Sequence, residues 1–579
     1  MKPYPLCIQA LLRAFIALVG VGLSSWVLAQ AAPDAGALQN QLDLQLQRES
    51  QAPLVQPPKP EQTPVEKKGQ QIAVSRFVFE GNTLFTASAL DQVVKPWTGK
   101  SVYIGELQDA AVAIQNFYAT KGRIAQATLP PQEIKDGVVL IKILEGKMGS
   151  VIVEPVDTAG KTRSRFSEDR AKAYITHGVA GEVYINTKPI ERAMLLLNET
   201  PGVSATGAFE PGSDAGLSNF KVKLSDTPWF SGQAALSNYG SASTGAAQAL
   251  ASLSLNNLSG IGDQVNLNAI QSQGSGYVVG NYIVPIGYGG WKVGVQSTYL
   301  QYTTVPNWTS TPSAGSAATF QANATYALQR SQSANSTAKL SIENRSYNNV
   351  QTNPVSTLSS YQVTASNASI NGDLAMSDGS IVNYSAGYVF GNLGIRDLSQ
   401  SQADQNGVGT AGPYSKWTFS LSHAQDLSFL PETTWTNSVY GQLASKNLNS
   451  SEQIYLGGAY GVRAYPTSQG GGSQGAIFST ELMHRINESW QVGAFGDLGI
   501  VQQYVNLYNG WQGLTNANNN YQLGDAGVSA KYFYERAVVN ASLAFRVGNN
   551  PLYNSSGLQL NVDNSYKTMQ AWVRASIPF

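Results

Sequence analysis

Hydrophobic and polar positions change period along this chain. From Trp229 onward they alternate, in segments of about ten residues separated by Gly, Asn and Ser turns, and helical periodicity disappears. The segment 291–299 puts Trp291, Val293, Val295, Ser297 and Tyr299 on one face, with Lys292, Gly294, Gln296 and Thr298 on the other. The final segment sets Met569, Ala571, Val573, Ala575, Ile577 and Phe579 against Gln570, Trp572, Arg574 and Ser576. Apolar residues towards lipid and polar ones towards a lumen make the pattern of a transmembrane antiparallel β-barrel. At about 9–11 residues per strand plus turns and longer outer loops, residues 228–579 accommodate about 16 strands. The competing reading is a soluble β-sandwich or β-helix. The alternation runs into Gln, Asn and Ser rather than Lys and Glu, which favours the barrel.

Upstream, periods of two and 3.6 alternate. In 71–147, strand patterns at 72–81, 123–129 and 137–146 bracket helical ones at 86–97 and 106–122. In the second helix Leu107, Ala111, Ile114 and Phe117/Tyr118 share a face, and Gly122 can end it. The order, β-α-α-β-β, recurs in 148–227. Strands at 149–156, 203–212 and 217–226 there flank helices at 168–178 and 189–199, the latter with Pro189 in its opening turn. Two α+β units of about 75 residues thus precede the barrel, a longer repeat than the ~20–50 residues of solenoids.

The first 70 residues have three parts. Lys2, Arg13, the apolar run 14–28 and Ala29 read as a signal peptide over 1–29, too short at about 15 apolar residues to span a bilayer as a helix. Residues 30–50 predict a short helix capped by Asp34, with Leu38, Leu42 and Leu46 recurring every four residues amid Gln, Asn and Asp. So thin a stripe suits a polar cavity. Five prolines between 51 and 70 make a semi-extended linker.

Composition narrows the chemistry. Charged residues are 13% of the chain, 37 basic against 37 acidic, with no Lys/Arg cluster to track phosphates, so neither nucleic acid nor nucleotide is an expected partner. Losing Lys2 and Arg13 with the signal leaves 35 basic against 37 acidic residues. The only cysteine, Cys7, lies within the signal, which excludes disulfides and thiolate metal sites in the remainder. No His/Asp/Glu cluster has metal-ligand spacing. The G-x-G-x-x-G match at 407–412 sits in a polar loop between barrel strands, without the preceding parallel strand and following helix that a dinucleotide site needs. The G-x-S-x-G match at 471–475 has no strand-to-helix turn, and His177, His423 and His484 belong to unrelated elements. The sequons at Asn307 and Asn323 are matches by pattern alone. No enzyme, cofactor or metal is expected.

One stretch raises a question that periodicity does not answer. GGAYGVRAYP, 457–466, is a small-residue turn carrying a single charge, Arg463. Downstream, the strand pattern 491–501 turns Trp490, Val492 and Ala494 to lipid, and Phe495 and Asp497 to the lumen. The residues alone leave two readings open: a solvated arginine with a separate lumen carboxylate, or a loop folded into the lumen with Arg463 on Asp497.

The arrangement resembles the TpsB transporters of two-partner secretion, the ShlB/FhaC/HecB haemolysin secretion/activation family, over nearly the whole chain. FEGNTLF (79–85) with LPPQEIKDGVVLIKILEGKMG (129–149) resembles the family's first POTRA domain; LLLNETPGV (195–203) with FEPGSDAG (209–216) resembles its second. VRAY (462–465) and FGDLG (495–499) resemble two barrel motifs of the wider superfamily. The resemblance implies a loop motif of Val462, Arg463, Ala464 and Tyr465, a strand motif with Phe495 and Gly499, and an Arg463–Asp497 contact that pins the loop in the lumen. Ala464 stands where the motif usually has glycine, so a positive φ there would be strained. It implies POTRA domains at 71–147 and 148–227 in the periplasm, a barrel in the outer membrane lipid, and residues 30–50 as a plug. The implied partner is an unfolded, secreted TpsA-type haemolysin or adhesin. An insertase of the same superfamily and a diffusion porin are the alternatives.

Overall fold

The computed structural model describes residues 33–579 apart from 50–70, 157–163, 215, 307, 310, 513–517 and 554–558. The signal peptide and the proline-rich linker lie outside the described residues, as does Asn307.

Sixteen antiparallel strands close into a barrel, from Phe230–Ser237 to Met569–Pro578. The first and last strands pair from Ser237↔Arg574 to Gln233↔Pro578. Closure leaves no unpaired edge, the condition for β-structure in lipid. The alternation places its residues as expected: Trp291, Val293, Val295 and Tyr299 are exposed on the outer wall, as are Met569, Ile577 and Phe579, while Trp572 is buried inside. Aromatic pairs such as Trp291–Tyr326 and Trp490–Tyr532 stand on that wall near the end of the barrel facing the α/β units. The wall is uneven in height: the neighbouring strands Ser313–Arg330, Ala334–Thr352 and Val355–Ala375 have 18, 19 and 21 residues. These exceed the ~9–11 residues a membrane crossing needs.

Each α/β unit packs helices on one face of a three-stranded sheet. In the first, Arg76–Glu80 runs parallel to Val138–Glu145, which pairs antiparallel with Ala125–Thr128. The core is Phe77, Leu90, Val94, Leu107, Ile114, Tyr118, Val139 and Ile141. The structure corrects the sequence reading here. The strand expected at 72–81 is two, Gln71–Val74 and Arg76–Glu80, interrupted at Ser75. The first of these pairs with a strand that periodicity missed, Lys100–Tyr103. Four residues are too few to register a period. In the second unit Lys147–Pro155 and Val203–Pro211 flank Leu217–Asp226, with Glu168–Gly178 and Thr187–Asn198 packed behind. Pro189 is the third residue of its helix, where its missing N–H still costs no intrahelical bond.

The units contact each other and the barrel. Arg123 Nη1 lies 2.8 Å from Glu182 across the first joint, and Thr187 N–H donates to Gly122 at 2.8 Å. At the second joint, Arg330 bonds Glu199, Arg165 donates to the Asn257 carbonyl at 2.7 Å, and Tyr174 meets Tyr288 edge-on.

Candidate functional site

The lumen is filled by two pieces of the chain, the helix Ala35–Glu49 and the long inner loop 445–473. The helix forms where expected. Asp34 Oδ1 accepts from Gly36 N–H at 2.9 Å and Ala37 N–H at 3.1 Å, satisfying two of the otherwise orphaned first-turn donors. Leu38 and Leu42 are buried against lumen residues of the barrel, and Leu46 packs there in part. At Gly36 an added Cβ would meet Tyr361 Oη at 2.4 Å and Ser451 Cβ at 2.5 Å, so only glycine lets the first turn touch both wall and loop.

Polar contacts hold both ends of the helix. Asp34 accepts from Ser450 Oγ (2.7 Å), Asn349 Nδ2 (2.7 Å) and Tyr361 Oη (3.0 Å). Glu49 lies 3.3 Å from Arg574 on the last strand. In between, Tyr277 donates to Asp43, and Gln41 donates to Ser468 of the inner loop. Ser450 sits on a segment anchored by a charge network that sequence reading missed. Glu452, 2% exposed, receives Arg345 Nη1 at 2.6 Å and Lys416 Nζ at 3.0 Å, and Arg345 also reaches Glu343 at 2.7 Å. Two cations and two carboxylates balance, the condition for tolerable burial of charge.

The tip of the inner loop lies on the wall. Arg463 Nε is 2.7 Å and Nη2 3.0 Å from the two oxygens of Asp497, a fork-on-carboxylate contact. Its third arm reaches Glu481 at 3.2 Å, and its guanidinium carbon lies 3.3 Å over the Phe495 ring. The Asp497 side chain is fully buried, and Arg463 is 12% exposed. Val462, Ala464 and Tyr465 are buried, the last under Arg546 at 4.6 Å. Gly499 lets the loop settle: a Cβ there would stand 2.9 Å from Val462 Cγ2.

Two features of the tip differ from the sequence reading. Ala464 is not among the residues with positive φ, so no glycine is needed there; the left-handed positions of this loop are Gly458, Ser468 and Gly470. Sequence reasoning also missed Asp525, whose Oδ2 accepts from Ala464 N–H at 2.6 Å, and Trp572, whose Nε1 donates to the Arg463 carbonyl at 2.7 Å. Asp525 carried a signal, being an acidic residue at a lumen-facing position of the strand after Asp497. Trp572, alone among the polar-face residues of the last strand, was an aromatic. Five successive strands thus touch one tetrapeptide.

A match to the family model for haemolysin secretion/activation protein ShlB/FhaC/HecB covers residues 216–532, more than half of the chain. The chain belongs to this family. Residues 72–146 match the ShlB-type POTRA domain. The heme/hemopexin transporter protein HuxB of Haemophilus influenzae is 26% identical over 547 residues, 92% of this chain and 94% of that protein. The outer membrane transporter CdiB of Dickeya dadantii is 26% identical, covering 66% of this chain and 67% of its own. Among solved structures, CdiB from Escherichia coli superposes with a TM-score of 0.65 at 20% identity, covering 95% of this chain and all of that one. BamA from Haemophilus ducreyi gives 0.53 at 12% identity over 88% of this chain. These last two likenesses show the fold. As a family member the chain is an outer-membrane barrel with its POTRA-type unit in the periplasm. The barrel end nearest the α/β units is therefore periplasmic, and the end at Asp34 faces outwards.

Proposed function

We propose that this chain is the outer-membrane pore of a two-partner secretion pair. It takes an unfolded, exported TpsA-type protein from the periplasm and passes it through the lumen to the cell surface. The observation that carries this reading is the helix Ala35–Glu49, a separate piece of chain lodged in the lumen by side-chain hydrogen bonds, one ion pair and a thin leucine stripe. A pore closed by a removable polar plug suits intermittent passage of a large solute. Residues 50–70 tie the plug to the first α/β unit, and the second unit, 148–227, serves as a second POTRA domain beside the barrel mouth. The Arg463–Asp497 contact acts as a lock that pins the inner loop to the wall and has a conformational, not a catalytic, role. Surface folding of the passenger supplies the direction, since no nucleotide is available outside the inner membrane.

Deleting the gene and comparing surface and released proteins by mass spectrometry tests the proposal. The expected result is loss of one large secreted protein with other barrels unchanged. A joint decline of many outer-membrane barrels would instead identify an insertase. Loss of small-solute uptake with every secreted protein retained would identify a porin.

A further inference from the structure

Wall tyrosines meet the plug at successive depths. At the outer end Tyr302 Oη donates to the main-chain carbonyl of Pro33, and Tyr361 Oη donates to Asp34 at 3.0 Å. Deeper, Tyr277 donates to Asp43, and below it the Arg48 guanidinium lies 5.5 Å over the Tyr440 ring. Tyr277, Tyr302 and Tyr361 are themselves at most 2% exposed with the plug in place. Their rings lie in the cluster that the wall forms with Ala35, Leu38 and Leu42 of the plug, and their hydroxyls bond it. At 1.5 Å per residue, positions 34 to 48 of the plug span about 21 Å of the pore axis. The tyrosines therefore form a column rather than a ring.

The column already holds polypeptide, at Pro33 through the main chain and at Asp34, Asp43 and Arg48 through side chains. A main-chain carbonyl, two carboxylates and a guanidinium are the groups it grips. An extended chain in transit has left its periplasmic water and has not yet made its own secondary structure. Its carbonyl oxygens need donors along the way. Tyrosine supplies one with little rotamer entropy to lose, and its ring face takes passing cations. From the level of Asp34 to that of Asp43 is about 13 Å, or about four residues of extended chain. A translocating segment can thus hand its carbonyls from one hydroxyl to the next without being held by all of them. Conduction requires such weak, repeated sites.

We propose that Tyr277, Tyr302, Tyr361 and Tyr440 form the track on which an extended cargo polypeptide is bound in transit, and that the plug helix occupies this track at rest. The proposal rests on the secretion-pore reading above. It makes the plug a competitor for the cargo site as well as a stopper.

The test is current block by an unstructured Gly/Ser/Asn-rich peptide in a planar bilayer. The parent is the full chain carrying Asp34→Ala and Glu49→Gln, which loosens the plug at both ends while leaving every tyrosine intact. Onto it go Tyr277→Phe, Tyr302→Phe and Tyr361→Phe, which keep the rings and remove the hydroxyls. With three hydrogen bonds removed, the peptide's dwell time within open periods is expected to fall about fivefold or more. The single replacements, measured one by one, carry the test if the triple variant does not insert. Dwell times unchanged in the Phe variants would overturn the track and leave the secretion reading standing. A parent that admits ions but is never blocked by the peptide would overturn both.

Discussion

Asp497 and Asp525 are register partners on adjacent strands, both buried, and both turn towards the dipeptide Arg463–Ala464. Asp497 takes the guanidinium fork, and Asp525 takes the Ala464 N–H at 2.6 Å. Like charges directly across a strand pair are destabilising. Here the loop supplies the compensation: without Arg463, Asp497 and Glu481 lose the guanidinium they share. The barrel wall in this sector depends on its loop as much as the loop depends on the wall.

Arg463→Ala is therefore predicted to release the loop tip and to weaken that sector. Removing one partner of a buried pair costs about 3–5 kcal/mol, with a hydrated lumen lowering the figure. The expected readouts are protease cleavage within 457–470 and loss of secretion. Arg463→Lys keeps the charge but not the fork, and should recover only part of both. A loop as protected in the alanine variant as in the parent would sink the prediction.

Asp34→Ala removes the cap of the plug helix and the acceptor for Ser450, Asn349 and Tyr361 together. A lost cap costs about 1 kcal/mol and each lost hydrogen bond to a carboxylate about 1.5–3 kcal/mol. The open fraction in single-channel recordings should rise about tenfold or more. Gly36→Leu reaches the same end by crowding, since its Cβ alone would collide with Tyr361 and Ser451. Conductance unchanged in both variants would show that the helix does not close the pore.

Asn447 ties the inner loop to the loops that carry Val408 and Asn506. Its amide donates to the Val408 carbonyl at 2.7 Å and to the Asn506 carbonyl at 2.8 Å, and its oxygen accepts from Asn506 N–H at 2.9 Å. Asn447→Ala is predicted to leave the barrel folded while speeding hydrogen exchange at Asn506 by about tenfold. Asp is the informative second variant, because it keeps the acceptor and loses both donors. Exchange at Asn506 should then fall between those of the parent and of the alanine variant. Equal protection in all three would remove the clasp.

Glu145 gives the first α/β unit a pH dependence. Burial pushes its carboxyl up, but bonds from Thr83 Oγ1, Leu84 N–H (2.8 Å), Tyr118 Oη (2.7 Å) and Thr83 N–H (2.9 Å) outweigh burial and hold it below its usual 4.5. A depressed folded value contributes stability that is complete above the unfolded pKa near 4.5 and is lost as pH falls through the folded one. Protection of the 82–85 turn against hydrogen exchange should follow that course. Glu145→Gln should show at pH 7 the weakened turn that the parent shows only in acid. A turn equally protected at both pH values in the parent would contradict the assignment.

What the sequence by itself determined was the features set by a long local period. Alternation over 228–579 specified a barrel because each residue shifts the side chain to the opposite wall, and lipid tolerates only one class of residue on its side. Asp34 and the leucines at 38, 42 and 46 specified a helix of thin apolar stripe, since cap and stripe lie within a few residues of each other. The short strand Lys100–Tyr103 was illegible because its partner, Gln71–Val74, and not its own pattern, makes it a strand.

Tertiary structure alone decided what meets across the lumen. Glu452 finds Arg345 and Lys416, and Asp525 finds Ala464, only because the closed wall and the returning loop bring together residues far apart in sequence. The same holds for the tyrosine column. Nothing in the sequence spacing of Tyr277, Tyr302, Tyr361 and Tyr440 aligns them. Barrel stagger does that, by setting the height of each strand against its neighbour, and height along the pore is a property of the closed sheet and not of any one segment.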